Sequence, residues 1–300
     1  IGDELLAAKE KGETPLAYVA VVVSLTDLDH RLLLAVDHLV WDAVSAAVLQ
    51  RRLQERLRGA AAIPARNYRD YVDHAWRVPD EQAVALLHRT IDQSDLVTTM
   101  EATRQALVRR EHQPLQSVMM RLPLKAGSAA ADQAFQHFKS VVAQLTGLAR
   151  YGVLLNHHGR ESGAERWFDQ VGLFLDKIPF AVGADTALEQ LSGKVESLRK
   201  QGINFVGLAQ ASGMGWSNTL PPMESEVLFN FQVEVPEQAA PPDEARMIEK
   251  LKDFRGILLE AAANADEIWV HCAFRGDAAD AKAVRDISTG SELSKVATST

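Results

Sequence analysis

Hydrophobic and polar positions along the chain alternate in blocks that predict a mixed α/β fold. Short apolar runs rich in β-branched residues predict strands, whereas apolar positions that recur every three or four residues predict helices. The predicted strands cover residues 15–25, 31–36, 116–124, 150–155, 226–235, 255–263 and 267–275. The predicted helices cover residues 1–13, 44–58, 129–147 and 188–200, with a further helix from residue 277 onward. The first two strands and the last two are close enough in sequence to form hairpins.

The segment 32–57 joins a buried strand, a polar corner and a helix. His38 stands alone at the end of the strand, with Asp37 before it and Asp42 after it. A neighbouring carboxylate favours the charged form of a histidine and burial favours the neutral form, so the pKa of a histidine placed here can be adjusted toward neutrality. The pattern therefore allows an acid–base residue, although a hydrogen-bonded structural histidine fits it as well.

Longer polar stretches separate the apolar blocks. Residues 60–77 predict a connector that holds Tyr68 and Tyr71. Residues 79–112 are helical in pattern with charges spread around them, which predicts a linker or a pair of surface helices with a solvated face. Further along the chain, residues 202–220 predict a glycine-bearing loop.

A second polar corner follows the strand at 150–155 and carries Arg160. An arginine on such a loop can hold a carboxylate or carbonyl through its fixed fork of donors, or it can brace the loop. Pairing with Asp42 or Asp169 would give the brace, which we favour over contact with a substrate. The apolar residues between Trp167 and Ile178 have helical spacing and predict a helix.

Composition and charge restrict the class of protein. The chain has 300 residues, of which 47% are hydrophobic and 24% charged, as in a globular protein with a large core. No apolar run approaches the ~20 residues of a membrane span and no signal peptide is present, so a cytoplasmic protein is expected. The net charge of −8 argues against nucleic-acid binding. One cysteine excludes an internal disulfide, and the adjacent His157 and His158 would point to opposite faces of a strand, which disfavours a metal site.

The corner sequence DHLVWDA resembles the HHxxxDG motif of the condensation-domain superfamily of nonribosomal peptide synthetases, which also includes epimerization and heterocyclization domains. His38 corresponds to the second histidine of that motif and Asp42 to its aspartate. Asp37 and Ala43 replace the first histidine and the glycine. Together with Ser45, the two aspartates also fit the DxxxxDxxS pattern of heterocyclization domains. The other motifs of that subfamily are not evident, so we interpret the corner as the ordinary one with a histidine replaced.

The segment NHHGRE at 156–161 resembles the EGHGRE signature of epimerization domains, and the residues behind it resemble the helix that follows that signature. Residues from His158 to Glu161 match position by position, whereas Asn156 and His157 replace the first two residues of the signature. The strand around Asn230, with the sequence FNF, resembles the FNYLGxF strand found late in these domains. The resemblance thus extends over nearly the whole chain.

The resemblance implies an α/β fold with two chloramphenicol-acetyltransferase-like lobes in a V around a tunnel. Residues 1–78 would be part of the N-terminal lobe, 79–115 a linker or surface helices, and 116–300 the C-terminal lobe. Only 37 residues precede His38, fewer than in the family. The chain is therefore expected to be a piece of a longer polypeptide, with a first lobe that is incomplete at its N-terminus.

The same resemblance implies activity on acyl or peptidyl thioesters carried on the phosphopantetheine of a carrier protein. The expected partners are that carrier protein and neighbouring synthetase domains, without nucleic acid or membrane. No intrinsic cofactor or metal is expected. His38 would be the acid–base or positioning residue. Supporting or structural roles would belong to Asp37, Asp42, Ser45, His158, Arg160 and Asn230.

Three alternatives to a condensing enzyme stay open. An epimerase needs a second base, which in the family is a glutamate at a helix start, and the matching region offers only Asp132. A degenerate member would dock a carrier protein or a neighbouring domain without catalysis, which the altered corner favours. A free-standing acyltransferase of the same fold would use a coenzyme A thioester. In each case Asp42 is expected to be structural and to pair with an arginine, such as Arg160 or Arg31.

Overall fold

Two structural units make up the chain in a computed structural model, which describes residues 18–24, 26, 30–36, 41–61, 68–75, 81–125, 129–157, 159–162, 165–203, 226–232, 251–264 and 266–288. By the proximity of Cα atoms, the first unit comprises 1–75 and 158–175, and the second comprises 76–157 and 176–300. The segment 158–175, which the predicted boundaries place in the C-terminal lobe, thus groups with the N-terminal part of the chain. The arrangement of two lobes in a V stays a prediction.

Ten strands and seven helices lie within the described residues, and most of the predicted elements are confirmed with ends shifted by at most three residues. In chain order they are β1 (Tyr18–Ser24), β2 (His30–Val36), α1 (Ala43–Leu57), α2 (Tyr68–Ala75), α3 (Glu81–Thr90), α4 (Gln93–Val108), β3 (Leu115–Pro123), α5 (Ala130–Thr146), β4 (Arg150–His157), β5 (Glu161–Ser162), β6 (Glu165–Arg166), β7 (Asp176–Gly183), α6 (Leu188–Lys200), β8 (Val227–Gln232), β9 (Ile257–Ala263), β10 (Glu267–Arg275) and α7 (Ala278–Ser288). The helix predicted at 1–13 and residues 204–220 of the predicted loop lie outside the described residues. None of the described helices is long and apolar enough to cross a membrane.

The first unit contains the predicted N-terminal hairpin and the helix behind the histidine corner. Strands β1 and β2 pair in antiparallel fashion, with Tyr18 opposite Val36. Helix α1 begins at Ala43, and the preceding residue Asp42 caps its first turn with an extended backbone and a side-chain carboxylate. Gly59 follows the last turn with a φ of +87°, in the left-handed region that ends helices, so the predicted stop is confirmed.

A six-stranded mixed sheet forms the centre of the second unit, in the order β3-β10-β9-β8-β4-β7. Strand β8 is parallel to both of its neighbours, β9 and β4, and the other pairs are antiparallel. Alternate residues of every strand enter one hydrophobic core, as the two-residue period of a strand requires. On β10, for example, Val270 and Cys272 belong to this core.

Of the two alternatives predicted for 79–112, the pair of helices is confirmed by α3 and α4, but one side of each helix is buried instead of solvated. Leu87, Leu96 and Met100 are buried in the core of the second unit. Met100 lies so close to β4 that a side chain at Gly152 would collide with it. The polar residues spread around these helices made their apolar positions hard to recognise in the sequence. Packing in the core of the second unit shows which side of each helix is buried.

The helix predicted between Trp167 and Ile178 is also wrong. The segment instead contains an irregular stretch at 167–175 and the start of strand β7. Its apolar residues serve two separate cores, since Trp167 and Phe174 belong to an aromatic cluster of the first unit and Ile178 belongs to the sheet core of the second. The three- and four-residue spacing therefore arose from packing of a loop and a strand.

Candidate functional site

The residues singled out in the sequence fall into three groups in the structure. Asp37, His38 and His158 lie outside the described residues. Asp42, Ser45 and Arg160 come together in the first unit, and Asn230 lies on β8 of the second. Asp42, Ser45 and Arg160 therefore form the part of the candidate site that lies within the described residues.

Both carboxylate oxygens of Asp42 accept hydrogen bonds from groups that are buried with it. Oδ1 accepts from the backbone N–H of Ser45 at 2.7 Å, which is the N-cap bond of α1, and from Nη2 of Arg160 at 2.6 Å. Oδ2 accepts from the backbone N–H of Phe174 at 3.0 Å. The side chain is only 7% exposed. Asp42 therefore ties the start of α1 to a loop more than a hundred residues away.

The guanidinium of Arg160 is fully buried and is committed to protein partners on several sides. Nη1 donates to the carbonyl oxygens of Trp167 at 3.0 Å and Gln170 at 2.7 Å. Nη2 donates to Asp42 and to the hydroxyl of Ser45, the latter at 2.9 Å. The predicted brace between Arg160 and Asp42 is thus present. A buried cation of this kind is stable only with such pairing, because its desolvation is costly.

The other predicted partner of Arg160 has a different role. The Asp169 carboxylate pairs with Arg51 of α1, and its backbone carbonyl accepts from Arg52. Both side chains of the Arg51–Asp169 pair are more than half exposed. This pair is therefore a surface contact between α1 and the loop that Arg160 supports from inside.

Ser45 uses the full hydrogen-bonding capacity of its hydroxyl. Oγ donates to the carbonyl oxygen of Gly172 at 2.7 Å and accepts from the Gly172 N–H at 3.0 Å and from Arg160. A serine hydroxyl has one donor and two acceptor lone pairs, so all three are satisfied. The resemblance to the heterocyclization pattern drew attention to Ser45, and the structure gives it a bracing contact.

An aromatic cluster covers this polar network within the first unit. The ring of Tyr71 lies 4.4 Å from that of Phe174 and 5.6 Å from that of Trp167, measured between centroids. Tyr68 packs edge-on against Phe174, and its hydroxyl donates to the carbonyl of Leu173. Burial raises the pKa of Tyr68, and the nearby negative charge of Asp42 raises it further, so the phenol stays a neutral donor.

The glycine of the HGR sequence is required by the same packing. Gly159 has a φ of +55°, and a Cβ atom there would collide with the backbone carbonyl of Phe174. A larger residue would therefore have to displace the loop that Asp42 and Arg160 hold. Contact with the Phe174 carbonyl therefore explains why glycine stands at this position of the segment that resembles the epimerization signature.

Sequence reasoning did not identify the loop partners of this network. Phe174 and Gly172 were assigned to a predicted helix, so their backbone groups were expected to bond within that helix. One available signal was the pair Tyr68 and Tyr71 on the connector, which had no assigned packing partner. Aromatic residues at helical spacing need an apolar surface opposite them, and the loop supplies it.

Comparison with known proteins identifies the fold. Neither a protein-family model nor a curated protein matches the chain. The epimerization domain from the third module of tyrocidine synthetase B is 13% identical with a TM-score of 0.56, over 93% of this chain and 71% of that one. A structure of condensation domain-mediated chain release from the enacyloxin polyketide synthase is 17% identical with a TM-score of 0.56, over 99% and 67%. The PapA2 acyl transferase is 14% identical with a TM-score of 0.51, over 93% and 69%.

The chain has the fold of condensation and epimerization domains. The predicted α/β class and its chloramphenicol-acetyltransferase-like type are thereby confirmed. At these identities the likeness concerns the fold, so activity has to be argued from the residues of the chain.

Within this condensation-domain fold, Asn230 has a defined place on the central sheet of the second unit. It pairs with Glu260 of the neighbouring parallel strand β9. Phe229 is in the hydrophobic core and Phe231 packs against it, so Asn230 points to the opposite face of the sheet. The role predicted for Asn230 as a supporting residue stays a prediction.

Proposed function

We propose that this chain is a condensation-type domain that transfers an acyl or peptidyl group from a carrier-bound thioester to an amine or a hydroxyl. His38 is its acid–base or positioning residue. The observation that carries this proposal is the buried pair of Asp42 and Arg160, because it joins the two sequence motifs that resemble the condensation superfamily. The fold that the chain shares with condensation and epimerization domains supports the same assignment.

The residues on either side of the histidine corner are held by a strand and by the bracing network. Val36, the last residue of β2, precedes His38 by two positions, and the helix cap Asp42 follows it by four. Asp42 is held in turn by Arg160 and by the loop that reaches Phe174. Such anchoring favours catalysis because proton transfer requires the ring to lie at hydrogen-bond distance from the reacting group.

The proposed reaction moves one proton and exchanges one bond for another. The acceptor nitrogen attacks the thioester carbonyl carbon, the C–N bond forms and the C–S bond breaks. A ring nitrogen of His38 accepts the proton that the amine loses, and this proton is then given to the departing phosphopantetheine thiol. The products are an amide and a free thiol, or an ester and a free thiol when the acceptor is a hydroxyl.

The test is turnover of loaded carrier proteins, followed by intact-protein mass spectrometry. His38→Ala should reduce product formation by ~10²–10⁴-fold, the usual effect of removing a positioned acid–base group. His112→Ala is the matched control, since the His112 side chain is 94% exposed, and it should leave turnover unchanged. Unchanged turnover in His38→Ala would assign catalysis to other residues and contradict the proposed role.

Two substitutions in the corner favour a second candidate function, docking without catalysis. Asp37 and Ala43 stand where the family motif has histidine and glycine. If no product forms with any loaded carrier while the protein still binds that carrier, docking becomes the better assignment.

The same assay in heavy water also tests epimerization, in which rapid deuterium uptake would accompany mixed stereochemistry. We expect slow or no uptake because Asp132, in the first turn of α5, replaces the expected glutamate.

A further inference from the structure

The exposed side of helix α1 in the first unit carries a row of uncharged residues. Leu57 is 80% exposed and Leu53 is 40% exposed, and the two lie about one turn apart. Gln50 and Ala46, which are also exposed, continue the row toward the start of the helix, because steps of three and four residues keep side chains on one side. These four residues, termed the leucine row, extend along most of the helix.

Other positions of α1 hold the helix in its unit. Ser45 is buried with its hydroxyl bound to the backbone of Gly172, and Val48 is buried as well. Arg52 donates to the backbone carbonyl of Asp169. At about 3.6 residues per turn, these positions lie on a different side of the helix from the leucine row. A partner can therefore contact the leucine row without displacing the groups that brace the first unit.

Arginines lie on both edges of the leucine row. Arg56 is on one edge, and Arg51 and Arg58 are on the other. Arg56 and Arg58 are exposed, and neither forms an ion pair with another residue in the described part of the chain. Nη1 of Arg56 donates to the carbonyl oxygen of Ala60 at 2.8 Å, which is a neutral acceptor. The positive charges of Arg56 and Arg58 are therefore available to a partner.

The charge of this helix is opposite in sign to that of the whole chain. Helix α1 and the residue after it contain four arginines and one glutamate, whereas the chain has a net charge of −8. The glutamate, Glu55, lies beyond Arg51 as seen from the leucine row. Arg51 pairs with Asp169, and more than half of each side chain stays exposed. An acidic partner is therefore attracted to this side of α1 although the chain as a whole repels it.

The pattern of charge distinguishes between the molecules that could cover such a face. A second copy of the chain that used the same row would place its own arginines near Arg56 and Arg58, and like charges oppose that pairing. A helix that lies in a membrane surface buries a continuous apolar face, whereas Gln50 lies inside the leucine row and Gln54 beside it. A protein helix with an apolar centre and acidic edges complements both the leucines and the arginines.

We propose that the leucine row of α1 docks an acidic amphipathic helix of a partner protein. The apolar residues of that helix pack on Leu53 and Leu57, and its aspartates or glutamates pair with Arg56 and Arg58. Leu57 contributes most of the affinity because it has the largest exposed area to bury, and the arginines select the partner by charge. The proposal rests on the first unit alone and is independent of the proposed transfer reaction.

The test uses a synthetic helical peptide that has a row of leucines between two rows of glutamates. Its binding to the whole chain is measured by fluorescence anisotropy, together with that of a control peptide in which lysine replaces every glutamate. The glutamate peptide should bind, and its affinity should fall as the salt concentration rises, because salt screens exposed charges. The lysine peptide should bind at least about 10-fold more weakly.

Variants of α1 locate the binding face. Leu57→Ala should weaken binding of the glutamate peptide by about 10-fold, as expected when a leucine side chain is no longer buried by the partner. The double variant Arg56→Glu, Arg58→Glu should weaken it by about 10-fold or more. Val108→Ala and Arg89→Glu, at exposed positions of the second unit, are the matched controls and should leave binding unchanged. Equal melting temperatures of all variants and the parent chain would confirm that each is folded.

Several outcomes would overturn the proposal. Absence of binding by the glutamate peptide, equal binding of the two peptides, or an equal loss of affinity in the control variants would each do so. Binding of phosphatidylserine vesicles that depends on Leu57, without binding of the peptide, would assign the face to a membrane instead. A dimer in sedimentation that Leu57→Ala abolishes would assign it to a second copy. Binding is measured directly, so an inactive acyl-transfer assay would leave this test decisive.

Discussion

The two polar networks of the molecule differ in burial and in the distance along the sequence that their members span. In the first unit, Asp42, Ser45 and Arg160 are all buried, and both carboxylate oxygens and the serine hydroxyl have partners. In the second unit, His271 is buried with Nε2 at 3.0 Å from the Ser117 hydroxyl, and Glu260 is partly exposed with Oε2 at 3.5 Å from Nδ1 of His271. The first network joins segments that lie more than a hundred residues apart in sequence, whereas the second links side chains on adjacent strands of one sheet.

The largest expected effect comes from breaking the buried ion pair of the first unit. Asp42→Ala should destabilise the protein by ~3–5 kcal/mol, because it removes one partner of a buried ion pair and leaves Arg160 uncompensated. The helix cap on Ser45 is lost with it. The measurement is the free energy of unfolding from chemical denaturation, supported by the melting temperature.

The matched control for this prediction is Asp169→Ala, which removes the exposed partner of Arg51 on the same helix. An exposed pair contributes at most about 1 kcal/mol. If Asp169→Ala and Asp42→Ala lower the free energy of unfolding equally, the buried pair of Asp42 and Arg160 does not stabilise the first unit. His38→Ala should also cost much less stability than Asp42→Ala, since His38 is proposed to act in chemistry.

The two networks also differ in what the sequence could predict. The partnership of Asp42 and Arg160 was predicted because each residue lies in a recognisable local motif. The loop contacts at Gly172 and Phe174 were missed because apolar spacing alone cannot distinguish a helix from an irregular segment that packs on aromatic rings. Pairing across such a distance in sequence depends on tertiary structure, which no local pattern encodes.

The contact between His271 and Glu260 in the second unit could have been predicted from the sequence by a different route. The hairpin of β9 and β10 was predicted around residues 264–266, and its turn places Ala263 opposite Ile268. Counting away from the turn along both strands brings Glu260 opposite His271. The contact of Asn230 with the same row required knowledge of the parallel strand order, which depends on connections through residues outside the predicted motifs.

The second unit also buries His137, a histidine on α5. Burial lowers the pKa of His137 to about 4. An unfolded histidine titrates near 6.5, so between these values the unfolded chain binds a proton that the folded chain does not. The stability contributed by neutral His137 is therefore complete above pH 6.5 and declines as the pH falls.

The expected loss is about 2 kcal/mol between pH 6.5 and pH 5, because each pH unit in this interval costs ~1.4 kcal/mol. His137→Gln should flatten the decline, since glutamine takes up no proton. The measurement is urea unfolding at pH 7 and pH 5 for both proteins, with exposed His112→Ala as a control that should keep the decline. An unaltered pH dependence in the glutamine variant would show that other groups cause the acid sensitivity.

The smallest expected effect is that of Ser117→Ala, which is measured against Ser45→Ala. Ser45→Ala should cost ~1–3 kcal/mol, because it leaves the Gly172 N–H and carbonyl and one Arg160 donor without their buried partner. Ser117→Ala removes a single bond to Nε2 of His271 and should cost about 1 kcal/mol. Chemical denaturation of both variants with a shared slope measures the difference. A loss for Ser117→Ala equal to or above that for Ser45→Ala would contradict the prediction, because one hydrogen bond of Ser117 would then contribute as much stability as the three of Ser45.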